Sequence, residues 1–246
     1  MLNKLITDTE LRAHSFRTGS KTYPVPAQYT LTPAARDFIK EQGITLVESS
    51  AGMSRAPIPM RDGKPVYVLA ESGAETTEKG EFLTHLRQNV LVPKTHPRIV
   101  LRGKLDSLQG EIILLQTLAA KERNTALQQE LGEILTFTRS ILGAEVKEEP
   151  MPPFFLLGMD SAALRHASHC VEEVFGIPHP IPDCSFGETA ARLNCLRAAV
   201  RETELAAAAA FSQGERTDLI EALNRLSSAI YILFCKTVSG KGGNRP

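Results

Sequence analysis

Apolar residues recur at spacings of three and four through the second half of the chain, and this period constrains the fold more than any other feature. One such stripe consists of Leu105, Leu108, Ile112, Leu115 and Ala119, and it predicts a helix with a single buried face. The same spacing, with terminal Gly and Pro signals, predicts four more helices over about 122–142 (ending at Gly143), 161–175, 186–211 and 216–237. Five helices with almost no strand signal predict an all-α body, a five-helix up-and-down bundle.

The front of the chain follows a different pattern, which predicts a small accessory unit. An extended stretch over 22–26 precedes a helix with Thr32 as its N-cap, Pro33 at its first position and Gly43 at its end. Residues 44–47 are apolar and β-branched enough to form a strand. The predicted organisation is an α+β unit over residues 1–50, a polar connector over 51–80 with one strand over 66–69, the helical body over 81–240 and a flexible tail over 241–246.

Charge and cysteine usage exclude several classes of protein. The 28 Lys and Arg balance 28 Asp and Glu, so the chain lacks the charge excess of a general nucleic-acid or membrane-surface binder. No apolar run approaches the roughly 18–20 residues of a membrane span, and no signal peptide precedes the first helix. The 4 cysteines form no C-x-x-C pair, which favours reduced thiols. We therefore expect a cytoplasmic protein with no nucleic-acid or membrane partner.

One helix of the body carries a polar stripe that favours phosphate binding. Asn194, Arg197, Arg201 and Glu204 follow the i, i+3, i+7, i+10 spacing and line one face. Two guanidiniums one turn apart can hold a phosphate chain, and a nearby carboxylate can orient an arginine or a ribose hydroxyl. The alternative is a solvated face stabilised by an Arg201–Glu204 ion pair, which is the commoner role of such a stripe.

The last predicted helix carries an amide, Asn224, among mostly apolar residues. An amide is costly to bury there unless it is hydrogen-bonded. It therefore bonds either a ligand or a neighbouring helix, and both interpretations stay open.

A basic segment lies at the entrance to the body. Five basic side chains fall within eleven residues: Lys94, His96, Arg98, Arg102 and Lys104. They precede a helix N-terminus, whose free amides also favour anions, so a polyphosphate suits this position. Asp106 would then hold an arginine or a magnesium-bound water. The alternative is a flexible basic loop, with Asp106 acting only as an acid in the first turn.

Taken together, these segments resemble a known family. The matching motifs are Val92-x-Lys94-x-x-Pro97-Arg98 leading to Gly103-x-Leu105-Asp106-Ser107-Leu108, then Leu196-Arg197-x-x-x-Arg201-x-x-Glu204, and then Leu223-Asn224-Arg225-Leu226-Ser227. In this order they resemble the ATP:cob(I)alamin adenosyltransferases of the propanediol-utilisation type and, within them, the ethanolamine-utilisation corrinoid adenosyltransferases. The closer likeness extends over most of the chain.

The resemblance implies a five-helix bundle whose substrates are ATP with Mg²⁺ and a reduced corrinoid, cob(I)alamin or cob(II)alamin. The implied reaction joins the 5′ carbon of ATP to cobalt and releases triphosphate. Cob(I)alamin is itself the nucleophile, so the protein's task is to position ATP and neutralise the leaving triphosphate. The ATP-binding residues expected on this basis are Lys94, Arg98, Asp106, Arg197, Arg201, Glu204 and Asn224.

The same resemblance suggests a corrinoid pocket around the proline-rich loops. His179 would approach the corrinoid face, and Phe154 and Phe155 would cap the pocket that displaces the lower ligand of the corrinoid. The favoured alternative is a loop that anchors itself to the bundle through its aromatic side chains.

The chain departs from the family pattern in three places. Glu202 and Leu205 stand where the wider family carries arginines, and residues 83–91 replace the family's phosphate loop. Some ethanolamine-utilisation members also carry a His and a Cys-Cys-x-x-Cys metal motif in the connector, whereas residues 49–84 contain neither His nor Cys. We therefore expect no structural transition metal.

The remaining histidines are a weaker metal signal. His166 and His169 are three residues apart and have Cys170 and His179 nearby in the sequence. No spacing among them fixes a four-ligand set, so ordinary packing or exposure is the favoured interpretation.

The resemblance also implies a biological setting. It places the protein in ethanolamine catabolism, in or beside a bacterial microcompartment, as a homo-oligomer (a trimer or a dimer). A flavin or other reductase and the adenosylcobalamin-dependent lyase are the implied protein partners. Two alternatives stay open: a non-catalytic protein that senses, stores or delivers the cofactor, and a structural interaction module.

Overall fold

The computed structural model describes residues 4–8, 11–12, 21–25, 29–48, 58–212 and 214–240. Contacts divide the chain into two compact units, Met1–Val66 and Tyr67–Pro246. The predicted tail, 241–246, lies outside the described residues, as does Pro26 at the end of the predicted extended stretch. Among the helices of the described ranges, none combines the length and the apolar character that crossing a bilayer requires.

The first unit contains short paired strands. Strand β1 (Lys4–Ile6) pairs in parallel with β3 (Tyr29–Leu31), and β2 (Thr22–Val25) pairs in parallel with β4 (Thr45–Glu48). A small antiparallel hairpin of β5 (Met60–Arg61) and β6 (Lys64–Pro65) follows. The extended stretch and the strand predicted on either side of the first helix are therefore confirmed.

Helix α1 (Pro33–Gln42) begins and ends where the local signals predict. The hydroxyl of Thr32 accepts a hydrogen bond from the amide of Ala35 at 3.2 Å, and Gly43 closes the helix with a left-handed φ of 62°. Ala35 and Phe38 turn into a small core of their own unit. The predicted α+β character of the front unit is confirmed.

The second unit begins with a four-stranded sheet, of which the sequence analysis anticipates one strand, at residues 66–69. Its strands are β7 (Tyr67–Leu69), β8 (Glu75–Thr76), β9 (Leu83–Arg87) and β10 (Val90–Pro93), in the order β8-β7-β10-β9. The expectation of an almost strand-free body is wrong here. The turn between β9 and β10 is made by Gln88 at a φ of 41° rather than by glycine, so the usual hairpin signal is missing.

Helices make up the rest of this unit, which confirms a mainly helical body. They are α2 (Pro97–Lys121), α3 (Thr125–Lys147), α4 (Ser161–His169), α5 (Val171–Phe175), α6 (Glu188–Ala210) and α7 (Thr217–Val238). Helix α2 packs against α3 and α6, and α7 packs against α3, α4 and α6. Their apolar stripes meet in one continuous core.

Contacts between the helix ends give the direction of each pair. Arg98 at the start of α2 bonds Glu145 at the end of α3, so these helices are antiparallel. Thr189 at the start of α6 donates to Glu122, which follows α2, so α2 and α6 are also antiparallel. Helix α7 then lies antiparallel to α3, because its Lys236 bonds Glu130.

Three predicted boundaries are wrong. Helix α3 continues through Gly143 to Lys147, and Glu148 takes the left-handed position at its end with a φ of 57°. The third predicted helix is broken at Cys170 into α4 and α5. The first body helix starts at Pro97, so the basic side chains from Arg98 onward lie on the helix instead of in a loop ahead of it.

Candidate functional site

Helix α6 carries the predicted polar stripe at its contact with α7. The guanidinium of Arg197 donates to the amide oxygen of Asn194 at 3.3 Å, while its buried Nε has no partner among the described residues. Arg201, one turn further on, is exposed, and its side chain forms no hydrogen bond or ion pair within the described part of the chain. The Arg201–Glu204 pair that a purely solvated face would contain is not formed.

Glu204 bonds across to α7 instead. Its carboxylate accepts a hydrogen bond from Nδ2 of Asn224 at 3.2 Å. The amide oxygen of Asn224 accepts another from Arg225 at 2.8 Å, so both ends of this exposed amide are oriented. Arg225 itself is only 8% exposed, and its Nε also lacks a partner among the described residues. The amide therefore makes the interhelical bond and still reaches the surface.

Tyr231 belongs to this site although the sequence analysis does not select it. The guanidinium of Arg197 lies 5.5 Å from the centre of the Tyr231 ring, close enough for a cation–π contact. Burial, with a contribution from Cys235, raises the pKa of Tyr231 to about 12, so its hydroxyl stays neutral. Tyr231 follows Asn224 by seven residues, two turns along the same helix, and this spacing was the signal available in the sequence.

His179 is held against Tyr231. Its Nε2 donates to the backbone oxygen of His169 at 3.1 Å, which leaves Nδ1 to accept from the Tyr231 hydroxyl at 3.0 Å. The two rings are stacked at 11° with centres 6.2 Å apart. His179 thus fixes the loop after α5 to α7, beside Arg197.

The entrance segment reaches α6 through Lys104, whose Nζ donates to Glu202 at 3.1 Å. Lys94 is exposed at the end of β10, with Nζ 3.9 Å from Glu81. Asp106 is exposed on α2 and has no side-chain partner among the described residues. Within the described ranges, no hydrogen bond or ion pair joins Lys94, Arg98 or Asp106 to Arg197, Arg201, Glu204 or Asn224.

Arg98 lies in a different cluster, at the end of α3. Its Nε donates to Glu145 at 2.6 Å and a terminal nitrogen donates to Glu148 at 2.7 Å, and Arg102 also bonds Glu145. Although burial works against the charged form, the hydrogen bonds with Glu148 and Glu145 raise the pKa of Arg98. The bond from Arg98 in turn lowers the pKa of Glu148. Carboxylates of the protein therefore use the donors that the sequence analysis assigns to ATP.

The three residues predicted for a corrinoid pocket have different surroundings. Phe154 packs against Phe137 of α3 with ring centres 4.6 Å apart, as the anchoring alternative predicts. Phe155 is 61% exposed, and His179 lies against α4 and α7. A separate groove of about 320 Å³ lies between α2 and α6, around Leu114 and Cys195.

Comparison with known proteins identifies a family that this part of the chain matches. Residues 74–237 match the cobalamin adenosyltransferase family. The chain belongs to the cobalamin adenosyltransferase family. It is 31% identical to the corrinoid adenosyltransferase EutT of Salmonella typhimurium (strain LT2), in an alignment covering 97% of this chain and 94% of that protein. The corrinoid adenosyltransferase EutT of Escherichia coli (strain K12) is also 31% identical, over the same shares of the two chains.

The family match includes the predicted site residues but not the front unit. The part of this cobalamin adenosyltransferase that matches the family contains α2 to α7 and every predicted site residue from Lys94 to Asn224, whereas residues 1–73 precede it. The alignments with the relatives cover nearly the whole chain and so extend into the front unit. No solved structure matches the chain significantly.

Proposed function

We propose that this protein transfers the 5′-deoxyadenosyl group of ATP to cob(I)alamin, giving adenosylcobalamin and triphosphate. Cobalt(I) supplies the electron pair of the new cobalt–carbon bond, and the bond between the 5′ carbon and oxygen breaks. No side chain has to act as the nucleophile. The protein supplies binding, orientation and positive charge for the leaving group.

The observation that carries the proposal is the set of unused donors on α6 and α7. Nε of Arg197 and Nε of Arg225 are, among the described residues, the buried side-chain nitrogens that have no partner. Native structures rarely leave such groups unpaired, so each marks a place where a ligand or a water belongs. Arg201 adds a fully available guanidinium on the same face, as a polyphosphate site requires.

The residues of the α6–α7 contact take three roles in this proposal. Arg197 and Arg201 hold the triphosphate, whose negative charge increases as the bond breaks. Glu204 and Asn224, already bonded to each other, orient the nucleoside. Tyr231 lies against the guanidinium of Arg197 and limits its movement.

The entrance residues are assigned separately. Exposed Lys94 remains a contact for the triphosphate, and exposed Asp106 binds water on the Mg²⁺ that accompanies ATP. Arg98 is assigned to the ion cluster with Glu145 and Glu148 rather than to ATP. The pocket roles of Phe155 and His179 remain part of the proposal, and Phe154 is assigned to anchoring the loop.

The finer architecture and setting follow from the same resemblance. Helices α4 and α5 together take the place of one helix in the five-helix bundle of the family. Among the described residues, Lys94 and Asp106 form no hydrogen bond or ion pair with the α6–α7 group, and we propose that a homo-oligomer completes the sites between subunits. The product serves the lyase of ethanolamine utilisation, with a reductase supplying cob(I)alamin, in or beside a microcompartment.

The proposal is tested by Arg201→Ala against a matched control, Arg192→Ala. Both arginines are exposed on α6, but Arg192 is paired with Glu188 at 2.8 Å on its own helix. Loss of one preorganised contact to developing charge lowers kcat by about 10²–10³-fold. We expect that loss in Arg201→Ala, with the thermal midpoint unchanged, and near-normal adenosyl transfer in Arg192→Ala. Full activity in Arg201→Ala would refute its assigned role.

A further inference from the structure

The junction between α4 and α5 gathers a histidine, a cysteine and a carboxylate that the proposed adenosyl-transfer site does not use. Nε2 of His166 lies 3.7 Å from a carboxylate oxygen of Glu173. One ligand atom from each of His166, Cys170 and Glu173 lies within 4.8 Å of the other two. We propose that these three side chains bind a divalent transition-metal ion, with Zn²⁺ as the best fit.

The break between the helices creates this arrangement. In an unbroken helix, residues 166 and 173 would be about 10.5 Å apart along the axis. Cys170 instead leaves the helical conformation, with φ −103° and ψ 54°, and the chain turns there into α5. As the N-cap of α5, Cys170 forms no side-chain capping bond, so its sulfur is not used by the helix end. The turn directs all three donors to one side of the junction.

The donor set has the chemistry of a zinc site. A neutral imidazole, a thiolate and a carboxylate are all zinc ligands, and tetrahedral bond lengths place such donors about 3.3–3.6 Å apart. The His166–Glu173 separation of 3.7 Å is close to that spacing. The sulfur has to move by roughly 1 Å to complete the set. Three protein ligands leave the fourth position to water.

Other nearby histidines are already engaged. Nδ1 of His169 lies 2.8 Å from the backbone oxygen of Arg165, and His179 bonds Tyr231 and the backbone of His169. Glu173 therefore completes the set, which the sequence spacing of histidines and cysteines does not show. The expectation of a metal-free protein rests on the absence of His and Cys from residues 49–84. His166 is a weak signal in the sequence because no four-ligand spacing is present, and a three-ligand site does not need one.

Metal binding at this position has a structural consequence. The ion would join the last turn of α4 to α5 across Cys170. It would thereby fix the end of α4, where the backbone oxygen of His169 holds His179. Because a ligand that binds only the folded state stabilises it, the thermal midpoint should rise when metal is added.

The test uses Co²⁺ as a spectroscopic probe, added to the purified full-length protein after chelation. Tetrahedral Co²⁺ bound to a thiolate has a sulfur-to-metal charge-transfer band, which reports the cysteine directly. We expect this band at one equivalent in the wild type, and its loss in Cys170→Ser. The matched control is Cys184→Ser, which removes an exposed cysteine outside the three-residue cluster and should leave the band unchanged.

The other two ligands are tested by affinity. Loss of an outer-sphere partner alone costs 10–100-fold in metal affinity, so His166→Gln and Glu173→Gln should weaken Zn²⁺ binding by at least about tenfold. Both side chains are more than half exposed, at 56% and 70%, so neither variant should disturb folding. A band that persists in Cys170→Ser, no band in the wild type, or unchanged affinity in both glutamine variants would overturn the proposal. The readouts do not involve adenosyl transfer, so the outcome is independent of the proposed reaction.

Discussion

Glu145 is the position at which we expect one substitution to cost the most stability. Its side chain is 0% exposed and accepts hydrogen bonds from Arg98 and Arg102, whose side chains are 15% and 17% exposed. Glu145→Gln keeps the shape of the side chain but leaves two largely buried guanidiniums facing an amide. Removing one partner of a buried ion pair costs about 3–5 kcal/mol. We expect the free energy of unfolding to fall by that amount.

The control for this prediction is Glu148→Gln. Glu148 contacts Arg98 and Arg87 at similar distances, but its side chain is 37% exposed, so its loss should cost at most about 1 kcal/mol. Urea unfolding followed by far-UV circular dichroism measures both values. A cost below about 1 kcal/mol for Glu145→Gln, or equal costs for the two variants, would refute the assignment of Arg98 to a buried structural cluster.

Three further predictions concern the α6–α7 contact. Asn224→Ala removes an oriented amide. Because hydrogen bonds to charged groups contribute about 1.5–3 kcal/mol, we expect calorimetry to show an ATP affinity lower by about 10–100-fold. An unchanged affinity would exclude Asn224 from the site. Tyr231→Phe keeps the ring beside Arg197 but removes the bond to His179, so kcat/KM should fall less than in Arg197→Ala; an equal or larger fall would contradict the supporting role of the ring. Burial raises the pKa of the Cys235 thiol from 9.0 to about 11. The stabilisation from this thiol is therefore full below pH 9 and is lost as the pH rises to 11, so the thermal midpoint should fall over this range. Cys235→Ala should reduce that fall, and an unchanged fall would contradict the role of the thiol.

Local signals explain why the front helix could be predicted to the residue. Thr32 as cap, Pro33 at the first position and Gly43 at the end each act through the backbone of their immediate neighbours. The same logic fails at Gly143, where core packing carries α3 past a residue of low helix propensity. At Cys170 the chain breaks a helix without Gly or Pro, so no local signal was present.

For the site residues, helix geometry could be predicted from the sequence, but hydrogen-bond partners on other helices could not. The spacing of Arg197, Arg201 and Glu204 on one helix face follows from helix geometry and was available from the sequence. Their partners depend on which helices pack together. The bond from Asn224 to Glu204 spans 20 residues and the bond from Arg98 to Glu145 spans 47, and no periodicity predicts such pairs. The sequence therefore does not show that Arg98 bonds Glu145, because this buried carboxylate comes from the end of another helix.

The measurement that tests the central claim most directly is an anaerobic assay of chemically reduced cob(I)alamin with Mg-ATP, with and without the protein. Absorbance follows the formation of adenosylcobalamin, and loss of the product on exposure to light identifies the cobalt–carbon bond. The assay is repeated after chelation of transition metals with magnesium restored. We expect protein-dependent, light-sensitive product in both conditions. Product formed only before chelation would show that the reaction needs a transition metal, which contradicts the proposed mechanism. No product in either condition, with ATP binding intact, would contradict adenosyl transfer itself.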